Sequence, residues 1–305
     1  MDRAASTGIV SGMDEPLPPE ARSAVLAWFD ATGRTLPFRG SDDPYRILVS
    51  EVMAQQTQIS RVAEKWAAFM EAFPSVAALA DASSADVLRA WRGLGYNRRA
   101  LNLHRAARVI VAEHGGQVPS TLADLERLPG VGRYTSRAVA SLAFGLRVGP
   151  VDTNVRRVLG RVLAANEPMS PARLQAVADE VVPAGRPADW THALMDIGAT
   201  ICRLTAPRCD ACPLQAWCAY ANGGAPAPVR PSARHARPFA TTSRWVRGRI
   251  IDRLRDAPAG AWTLLEGPIG FHDRSAVERA IDALAREGLL ERHGEDPRML
   301  RLPAT

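Results

Sequence analysis

Four cysteines lie close together in the second half of the chain, and they are the only cysteines that it contains. Their spacing is Cys202-x6-Cys209-x2-Cys212-x5-Cys218. Thiolates are soft ligands that bind iron–sulphur clusters or zinc, and this spacing alone leaves both metals open. In a reducing compartment, cysteines packed this closely indicate metal ligands rather than disulfide bonds. We therefore predict a metal centre at residues 202–218.

Two carboxylates have neighbours that suit acid–base and electrostatic chemistry. Glu51 lies in an apolar helical segment, where desolvation favours a protonated carboxyl that can act as a general acid. Asp152 stands directly before Thr153 and Asn154, at a predicted helix N-cap. A carboxylate held there can stabilise a cationic sugar in a transition state. For an isolated aspartate, however, simple helix capping would be the more economical explanation.

A glycine-rich turn, Leu128-Pro129-Gly130-Val131-Gly132, separates two predicted helices. Its glycines would let the backbone approach a phosphate closely, and the N-terminus of the following helix adds a favourable dipole. Such contacts position a nucleic acid without reading its sequence. A plain turn is the alternative, but the segment Val151-Asp152-Thr153-Asn154 follows 20 residues later and makes the DNA-binding interpretation more specific.

The elements that must position these residues are mainly helical. Residues 1–18 lack helical periodicity and are predicted to form a disordered arm. Helical patterns then run through residues 19–221, with Asp43 capping the helix that carries Glu51 and Thr121 capping a short helix over residues 122–128. The next helix is predicted to begin at Arg133, directly after the glycine turn.

A separate small domain is predicted after a Gly/Pro/Ala-rich linker at residues 222–240. Within residues 241–305, helical patterns cover residues 245–254 and 275–284, and residues 289–302 suggest a hairpin that turns at residues 294–297. Helix, helix and hairpin in that order predict a winged-helix-like α+β domain. Its role is left open between contacting DNA and packing against the rest of the chain.

The charge favours a polyanionic partner. The chain of 305 residues has a formal net charge of +6 and a sequence pI near 9.7, and Lys65 is its only lysine. Basic side chains supply most non-specific affinity for nucleic acid, although a GC-rich genome also explains an excess of arginine. No segment suggests a signal peptide or a membrane span, so we expect a cytoplasmic, nucleoid-associated protein.

The segment Ser50-Glu51-Val52-Met53-Ala54-Gln55-Gln56-Thr57-Gln58 closely resembles the catalytic glutamate segment of MutY-type adenine DNA glycosylases, which belong to the helix-hairpin-helix, endonuclease III superfamily. The resemblance covers roughly residues 20–220. Its other segments are Leu36-Pro37-Phe38-Arg39, Gly93-Leu94-Gly95-Tyr96, the glycine turn, Val151-Asp152-Thr153-Asn154-Val155, Met195-Asp196-Ile197-Gly198-Ala199 and the cysteine loop. It implies a helix-hairpin-helix glycosylase fold of two helical subdomains with an iron–sulphur loop, and it favours one 4Fe-4S cluster over zinc.

The same resemblance implies a role for each matching residue. Glu51 would protonate the departing adenine and later help water, and Asp152 would stabilise or trap the sugar cation. Tyr134 and Asn154 would orient Asp152 or the substrate, while Gly130, Val131 and Gly132 would contact the DNA backbone. The residues that would bind the substrate are Arg34, Phe38, Arg39, Ala54, Gln56, Ile59, Tyr96 and Asp196. Among these, Gln56 and Tyr96 would wedge into the duplex beside the base opposite adenine, because the target base must leave the stack.

Strand cleavage after base removal needs an amine nucleophile, which endonuclease III relatives place directly after the hairpin as a lysine. This chain has Tyr134 at that position. We therefore predict a monofunctional, monomeric glycosylase that acts on double-stranded DNA and removes adenine paired with 8-oxoguanine or guanine. Tyrosine at this position also occurs in relatives that act on T·G mismatches, so a T·G/U·G glycosylase is the first alternative.

The chain also departs from the family pattern. The segment after Pro228 lacks the glutamate-rich signature of the Nudix-like domain that most MutY proteins carry. Phe38 and Ala54 stand where tryptophan and leucine are common, which would make the base pocket roomier. A non-catalytic DNA-damage binding module and a redox-sensing transcription factor are further alternatives. Both would leave the segments that contain Glu51 and Asp152 unexplained.

Overall fold

The computed structural model describes residues 15–165, 167–223 and 238–304. The α-helices are α1 (Pro19–Thr32), α2 (Pro44–Ala54), α3 (Ile59–Ala72), α4 (Val76–Asp81), α5 (Ser84–Ala90), α6 (Arg98–His114), α7 (Leu122–Arg127), α8 (Arg133–Phe144), α9 (Thr153–Ala164), α10 (Pro171–Glu180), α11 (Pro187–Asp196), α12 (Ala219–Asn222), α13 (Ser243–Asp256) and α14 (Arg274–Arg286). The strands are β1 (Thr263–Leu264), β2 (Glu291–Arg292) and β3 (Met299–Arg301). No helix in the described ranges is long and apolar enough to cross a membrane.

The described residues divide into two compact units, each of them assembled from separate stretches of chain. The hairpin unit comprises residues 34–146 and 238–304, and it contains α2–α8, α13, α14 and the three strands. The cysteine unit comprises residues 15–33, 147–165 and 167–223, and it contains α1 and α9–α12.

In the hairpin unit, α2 forms because a strong cap precedes an apolar segment. Asp43 accepts hydrogen bonds from the backbone N–H groups of Tyr45 and Arg46 at 2.9 and 3.4 Å, and Pro44 occupies the first turn. The buried apolar side chains of this helix include Ile47, Leu48, Val49, Val52 and Met53. Burial of each such side chain contributes about 1.5–3 kcal/mol, so α2 is held firmly against α3, α6 and α8. The predicted cap is confirmed.

A tight turn connects α7 and α8. Thr121 caps α7, which ends one residue earlier than predicted, and α8 begins at Arg133 as predicted. Gly130 adopts a left-handed conformation with φ of 81°. A Cβ atom there would lie 2.8 Å from the Cβ of Asn102, so both backbone conformation and space require glycine.

The C-terminal part of the hairpin unit is a small α+β arrangement. Helices α13 and α14 pack together, beside an antiparallel sheet with strand order β1-β3-β2. The predicted hairpin is present as β2 and β3, with Arg292 opposite Leu300. Strand β1 was not predicted. The prediction of a mainly helical fold with a small winged-helix-like α+β domain is confirmed.

The cysteine unit is built around α9, which contacts α10, α11 and α12. One face of α9 is buried in the core of this unit, as are Trp190 and Leu194 of α11. A single π-helical turn, Ile197–Ile201, follows α11 and leads into Cys202. Turns of this kind are common near functional sites, because they redirect the chain locally.

The prediction of a disordered arm over residues 1–18 is wrong for residues 15–18. The apolar Leu17 is 1% exposed in the core of the cysteine unit, so burial favours order there. Residues 1–14 lie outside the described residues, as do residues 224–237 of the predicted linker.

One close contact in the cysteine unit gives a test of its packing. The N–H of Gly149 donates to Asp179 at 2.7 Å, and its carbonyl accepts from Gln175 at 2.8 Å. An added Cβ atom would overlap the backbone carbonyl of Ala178. We expect Gly149→Ala to lower the free energy of unfolding by about 2 kcal/mol or more, as overpacking against an immobile backbone does. Chemical unfolding followed by circular dichroism measures the change.

Gly160→Ala is the matched control. Gly160 lies inside α9, and a Cβ atom there meets open space. Replacing glycine by alanine within a helix stabilises it by about 0.5–1 kcal/mol, so this variant should unfold at a higher denaturant concentration. Equal stability of the two variants would contradict the described contact between Gly149 and α10.

Candidate active site and cysteine centre

Glu51 lies in the third turn of α2 and is partly exposed. Its neighbours Ser50, Val52 and Met53 are buried, so the helix fixes the backbone at Glu51 while one face stays accessible. Ala54, the last residue of α2, is also partly exposed. This placement suits a carboxyl that must reach a ligand from a rigid element.

Arg99 joins the end of α2 to the loop over residues 93–97, and sequence analysis did not identify it. Its guanidinium donates hydrogen bonds to the carbonyls of Val52, Met53, Leu94 and Gly95 and to the Thr57 hydroxyl, at 2.8–3.2 Å. Burial lowers the pKa of Arg99 to about 10, so it stays charged at neutral pH. Charged donors of this kind are stronger than neutral ones, and this one therefore couples the two segments.

Gln56 and Tyr96 share an unusual backbone conformation. Their φ angles are 55° and 45°, in the left-handed region that residues other than glycine rarely adopt. Both side chains are exposed, Tyr96 by 42%, and both line one groove of the hairpin unit. Strained residues with exposed side chains are typical of positions that contact a ligand.

The glycine turn presents some of its predicted contacts and buries others. Gly130 and Gly132 are exposed, whereas the Val131 side chain is buried and its N–H donates to the carbonyl of Leu128 at 3.0 Å. The N-cap residue of α8 is Gly132, which has no side chain that could accept from the first N–H groups of the helix. The first N–H groups of that helix therefore suit an anion.

Tyr134 stands near that N-terminus and is partly exposed. Gln55 connects the end of α2 to the turn, because its side-chain amide donates to the Thr135 hydroxyl at 3.1 Å and to the Gly130 carbonyl at 3.4 Å. The hairpin is thus linked to the helix that carries Glu51.

The predicted base-pocket residues are distributed over both units. Arg39 donates to the carbonyl of Arg34 at 3.0 Å, and the Phe38 ring meets Trp66 edge to face at 6.4 Å. These three and Ile59 are partly exposed in the hairpin unit. Asp196 belongs to the cysteine unit and is fully buried at the end of α11.

Asp152 caps α9, as predicted. One carboxylate oxygen accepts from the N–H of Val155 at 2.7 Å, and the other accepts from the side-chain amide of Asn154 at 3.0 Å. The residue is partly exposed. Two donors hold its orientation, so the structure places a fixed anion at the positive end of a helix.

A chain of hydrogen bonds leads from Asp152 to the cysteine loop. Asn154 accepts from Arg157 at 2.8 Å, and Arg157 also donates to the carbonyls of Cys202 and Gly198, both at 2.6 Å. A Cβ atom at Gly198 would lie 2.5 Å from that of Asn154, so the two segments approach closely. Sequence analysis did not identify Arg157.

The four cysteines line a single cavity in the cysteine unit. Arg161 lines the same cavity and is 4% exposed. It donates to the sulphur of Cys202 at 3.4 Å and to the carbonyls of Arg203 and Leu204 at 2.7 and 3.1 Å. Its Nε atom is buried without a hydrogen-bond partner among the described residues. A buried guanidinium with a spare donor fits an anionic group held by thiolates.

The thiols sit in an apolar and mutually crowded environment. Burial raises the pKa of Cys212 to about 11, and burial together with the neighbouring thiols raises the pKa of Cys209. Among the described His, Cys, Asp and Glu residues, no three converge closely enough to hold a single metal ion.

Arg157 and Arg161 are four residues apart and so share one face of α9. Arg157 is the fifth residue after Asp152, so the sequence places both arginines on the helix that Asp152 caps.

Comparisons with known proteins identify relatives. The family described as HhH-GPD superfamily base excision DNA repair protein matches residues 49–184. The chain is 42% identical over 270 residues to an adenine DNA glycosylase of Mycolicibacterium smegmatis, and the match covers 88% of this chain and 91% of that protein. It is 41% identical over 278 residues to an adenine DNA glycosylase of Mycobacterium tuberculosis, with 88% and 89% covered. The solved structure of a thermostable thymine-DNA glycosylase has a TM-score of 0.63 at 30% identity and covers 66% of this chain and 95% of that one.

The hydrogen bonds of Arg99 predict a large effect of its removal. Arg99→Met keeps the apolar stem but leaves carbonyls of Val52, Met53 and Leu94 without their donor. We expect the free energy of unfolding to fall by about 3 kcal/mol, since buried acceptors that lose a charged donor keep their desolvation cost. Chemical denaturation measures this change. The neighbouring exposed Arg98 supplies the control, because Arg98→Met should shift stability by less than about 0.5 kcal/mol. Equal losses in the two variants would show that Arg99 does not couple α2 to the loop.

Proposed function

The chain belongs to the MutY-type adenine DNA glycosylases of the HhH-GPD superfamily, which are base excision repair enzymes, and we propose that its substrate is adenine paired with 8-oxoguanine or guanine. The enzyme hydrolyses the N-glycosidic bond of adenine, and DNA is its partner. We further propose that it acts as a monomer on double-stranded DNA in the nucleoid. The observation that carries the proposal is Asp152, a partly exposed carboxylate whose two oxygens are both held by donors.

Asp152 acts on the sugar. Departure of the base builds oxocarbenium character at C1', and a preorganised anion stabilises that charge more than a solvated one can. The N–H of Val155 and the amide of Asn154 hold the carboxylate in place, so little reorganisation is needed as charge develops. This arrangement supports the proposed orienting role of Asn154.

Glu51 acts on the base. Loss of adenine as an anion is unfavourable, so a proton must reach a ring nitrogen, N7 in this family, as the bond breaks. Glu51 stands on a helix whose buried neighbours fix its position, and it is accessible from one side. After departure of the base, the same carboxylate accepts a proton from the attacking water.

Base removal leaves the DNA strand intact, because strand cleavage would need an activated amine. Tyr134 occupies the position directly after Arg133 at the start of α8, where a lyase would carry lysine. The chain's only lysine, Lys65, lies on α3, away from the hairpin in sequence, with its side chain beside Gly93. The enzyme is therefore a monofunctional glycosylase.

Extrusion of adenine from the duplex requires something to fill the gap. Gln56 and Tyr96 support this role, because both are exposed, lie in the left-handed region and line the same groove. Gly130, Gly132 and the uncapped N-terminus of α8 would hold the phosphates beside it, since these groups suit an anion. Arg34, Phe38, Arg39, Ala54 and Ile59 would line the base pocket. Full burial of Asp196 supports a structural contribution rather than direct contact with the base.

We also propose that Cys202, Cys209, Cys212 and Cys218 hold one 4Fe-4S cluster. The residues fit such a group, because all four line one cavity. Arg161 lines the same cavity, and its buried Nε, which has no hydrogen-bond partner among the described residues, suits an anionic group. When bound, the cluster supplies a structural centre that orders the loop rather than a reaction step. Arg157 then ties that loop to Asn154, which holds Asp152.

Two alternatives compete with this proposal. The similarity to a thymine-DNA glycosylase structure, at 30% identity, favours action on T·G mismatches, but the 41–42% identity to adenine DNA glycosylases over most of the chain favours adenine. A non-catalytic damage-binding module would not need carboxylates at Glu51 and Asp152, because anions near DNA phosphates oppose binding.

One assay separates these possibilities. The purified protein is incubated with end-labelled duplexes that contain A·8-oxoguanine, A·G, T·G or U·G, and strand breaks are compared with and without alkali. We expect alkali-dependent breaks at adenine in the first two duplexes and intact strands without alkali. Breaks only at T·G or U·G would establish the alternative specificity, and no breaks with any duplex would support a binding module.

Asp152→Asn tests the electrostatic role. Asparagine is also a good N-cap, so α9 should keep its start, but a neutral amide cannot stabilise the sugar cation. We expect adenine removal to fall by more than about 1000-fold while the visible chromophore is retained. Asp43→Asn makes the same change at the cap of α2 and should stay within about twofold of the wild-type rate. Similar rates for the two variants would exclude a catalytic role for Asp152.

The metal centre is tested by composition. We expect iron and acid-labile sulphide in a four-to-four ratio per chain, with a brown chromophore, and we expect Arg161→Met to lose iron faster than wild type under a chelator. Arg156→Met, an exposed change on the same helix, should retain iron like wild type. A colourless protein with stoichiometric zinc would overturn the cluster assignment without affecting the glycosylase assignment.

A further inference from the structure

We propose that Arg244 of the C-terminal α+β domain is a positioning residue for Tyr96, so that this domain is part of the machinery that extrudes the base. The proposal rests on the function proposed above for Tyr96 and adds the residue that controls it. Arg244 lies in the first turn of α13, in the part of the hairpin unit most distant in sequence from Tyr96.

The contact between the two side chains is direct and has two components. Arg244 Nη1 donates to the Tyr96 hydroxyl at 2.6 Å, and its guanidinium carbon lies 5.4 Å from the centroid of the Tyr96 ring. The same guanidinium lies 4.8 Å from the centroid of the exposed Phe239 ring. A planar cation that meets two aromatic rings and one hydroxyl has few alternative orientations, so it restricts the tyrosine as well.

The conformation of Tyr96 depends on such contacts for two reasons. Its backbone is held in the left-handed region, which is strained for a residue other than glycine. Its side chain is 42% exposed, so the protein core supplies only part of the packing that would select one rotamer. Arg99, whose guanidinium is 5.6 Å from the ring centroid, supplies a contact from the glycosylase part of the chain. Arg244 supplies the contact from the C-terminal domain.

A buried arginine attaches the C-terminal domain to the same loop. The Arg255 side chain is 3% exposed, and it donates to the carbonyl of Leu88 and to the side chain of Asn97, both at 2.8 Å. Asp252, on the same helix, accepts from it at 2.9 Å. Each unpaired donor of a buried guanidinium costs free energy, so these hydrogen bonds contribute to the stability of the fold. It binds α13 to the residue that directly follows Tyr96.

The first turn of α13 is held by a helix cap and by packing of Trp245. Thr242 caps the helix, with its hydroxyl 3.3 Å from the N–H of Trp245. The Trp245 ring stacks on His272 at 5.9 Å, and His272 lies within hydrogen-bond distance of the Ala240 carbonyl at 3.1 Å. A Cβ atom at Gly270 would lie 2.5 Å from the Trp245 ring, so Trp245, the residue after Arg244, packs closely against the backbone at Gly270. Arg244 is therefore presented from a rigid support.

The competing interpretation is that Arg244 contacts a DNA phosphate, as an exposed arginine on a basic helix often does. The two roles predict different measurements. A phosphate contact contributes to affinity and to its salt dependence, whereas a positioning residue changes the rate of base extrusion in the bound complex and the order of the loop in the free protein.

The test uses the full-length protein and five variants: Arg244→Met, Arg244→Lys, Tyr96→Phe, the Arg244→Met/Tyr96→Phe double variant and Arg253→Met. Arg253 is an exposed arginine on the same helix and is the matched control for loss of charge. Thermal unfolding and the chromophore establish that each variant is folded. Three measurements follow: hydrogen exchange of peptides that cover residues 93–98 without DNA, fluorescence of 2-aminopurine in place of adenine on mixing, and the single-turnover rate at saturating enzyme.

We expect Arg244→Met to accelerate exchange in residues 93–98, to slow the 2-aminopurine change and to lower the single-turnover rate by about tenfold, since it loses a charged hydrogen bond. Its affinity for an undamaged duplex should stay within about threefold of wild type. Arg244→Lys should recover most of the rate, because lysine can also donate to the hydroxyl. The double variant should be no slower than Arg244→Met, since the hydroxyl acts through the same contact. Arg253→Met should match wild type in exchange and in rate.

Equal losses of affinity in Arg244→Met and Arg253→Met, with unchanged extrusion, would overturn the proposal in favour of a phosphate contact. Wild-type exchange and rate in Arg244→Met would overturn it outright. Failure of the wild-type protein to remove adenine would instead refute the function proposed above, and exchange in the free protein would still decide whether Arg244 orders the loop.

Discussion

Hydrogen bonds from arginine side chains to backbone carbonyls and side-chain amides govern how the functional segments are held. Arg99 connects the end of α2 to the loop that contains Tyr96, and Arg157 connects Asn154 to the cysteine loop. Arg161 connects α9 to the backbone of the cysteine loop at Arg203, and Arg255 connects α13 to the carbonyl of Leu88. Each arginine presents several donors in a fixed plane, and burial makes every missing acceptor costly. Loops without regular structure thereby acquire geometry that their own short sequences cannot impose.

Rigidity of this kind suits the proposed chemistry. Stabilising a cationic sugar requires a carboxylate whose position is set before charge appears, and Asp152 is held by a helix N-terminus and an amide that is itself held by Arg157. Tyr96 and Gln56 keep strained backbones, which persist only because surrounding contacts determine them. The cysteine loop is connected to this network through a backbone carbonyl, so order in the cysteine loop and order at Asp152 are linked.

The C-terminal domain changes what the resemblance to MutY proteins implies. It carries a three-stranded sheet and two helices in this chain, and α13 contacts the loop that contains Tyr96 through Arg244 and Arg255. The domain therefore contacts the groove that Gln56 and Tyr96 line through its own side chains, and the covalent chain is not its only connection to that groove. Conclusions about the base opposite adenine must accordingly rest on this domain's own residues.

Local chemistry determined much of this protein. Asp43, Thr121 and Asp152 are caps because a short acceptor side chain precedes a helical segment. The cysteine spacing predicted a metal-binding loop without any knowledge of the fold. Glu51, the glycine turn and Tyr134 could be singled out from the sequence, because each belongs to a motif formed by residues that are adjacent along the chain. The helices of the C-terminal domain followed from apolar periodicity in the same way.

Tertiary structure alone decided the contacts that hold these parts. Arg244 and Tyr96 are 148 positions apart, and Arg99 meets Val52 across 47 positions, so no local pattern could pair them. Any of the many arginines could have been chosen from sequence, because a guanidinium acquires its role from the acceptors that folding brings to it. The left-handed conformations of Gln56 and Tyr96 are likewise imposed by surroundings, since their own side chains disfavour them.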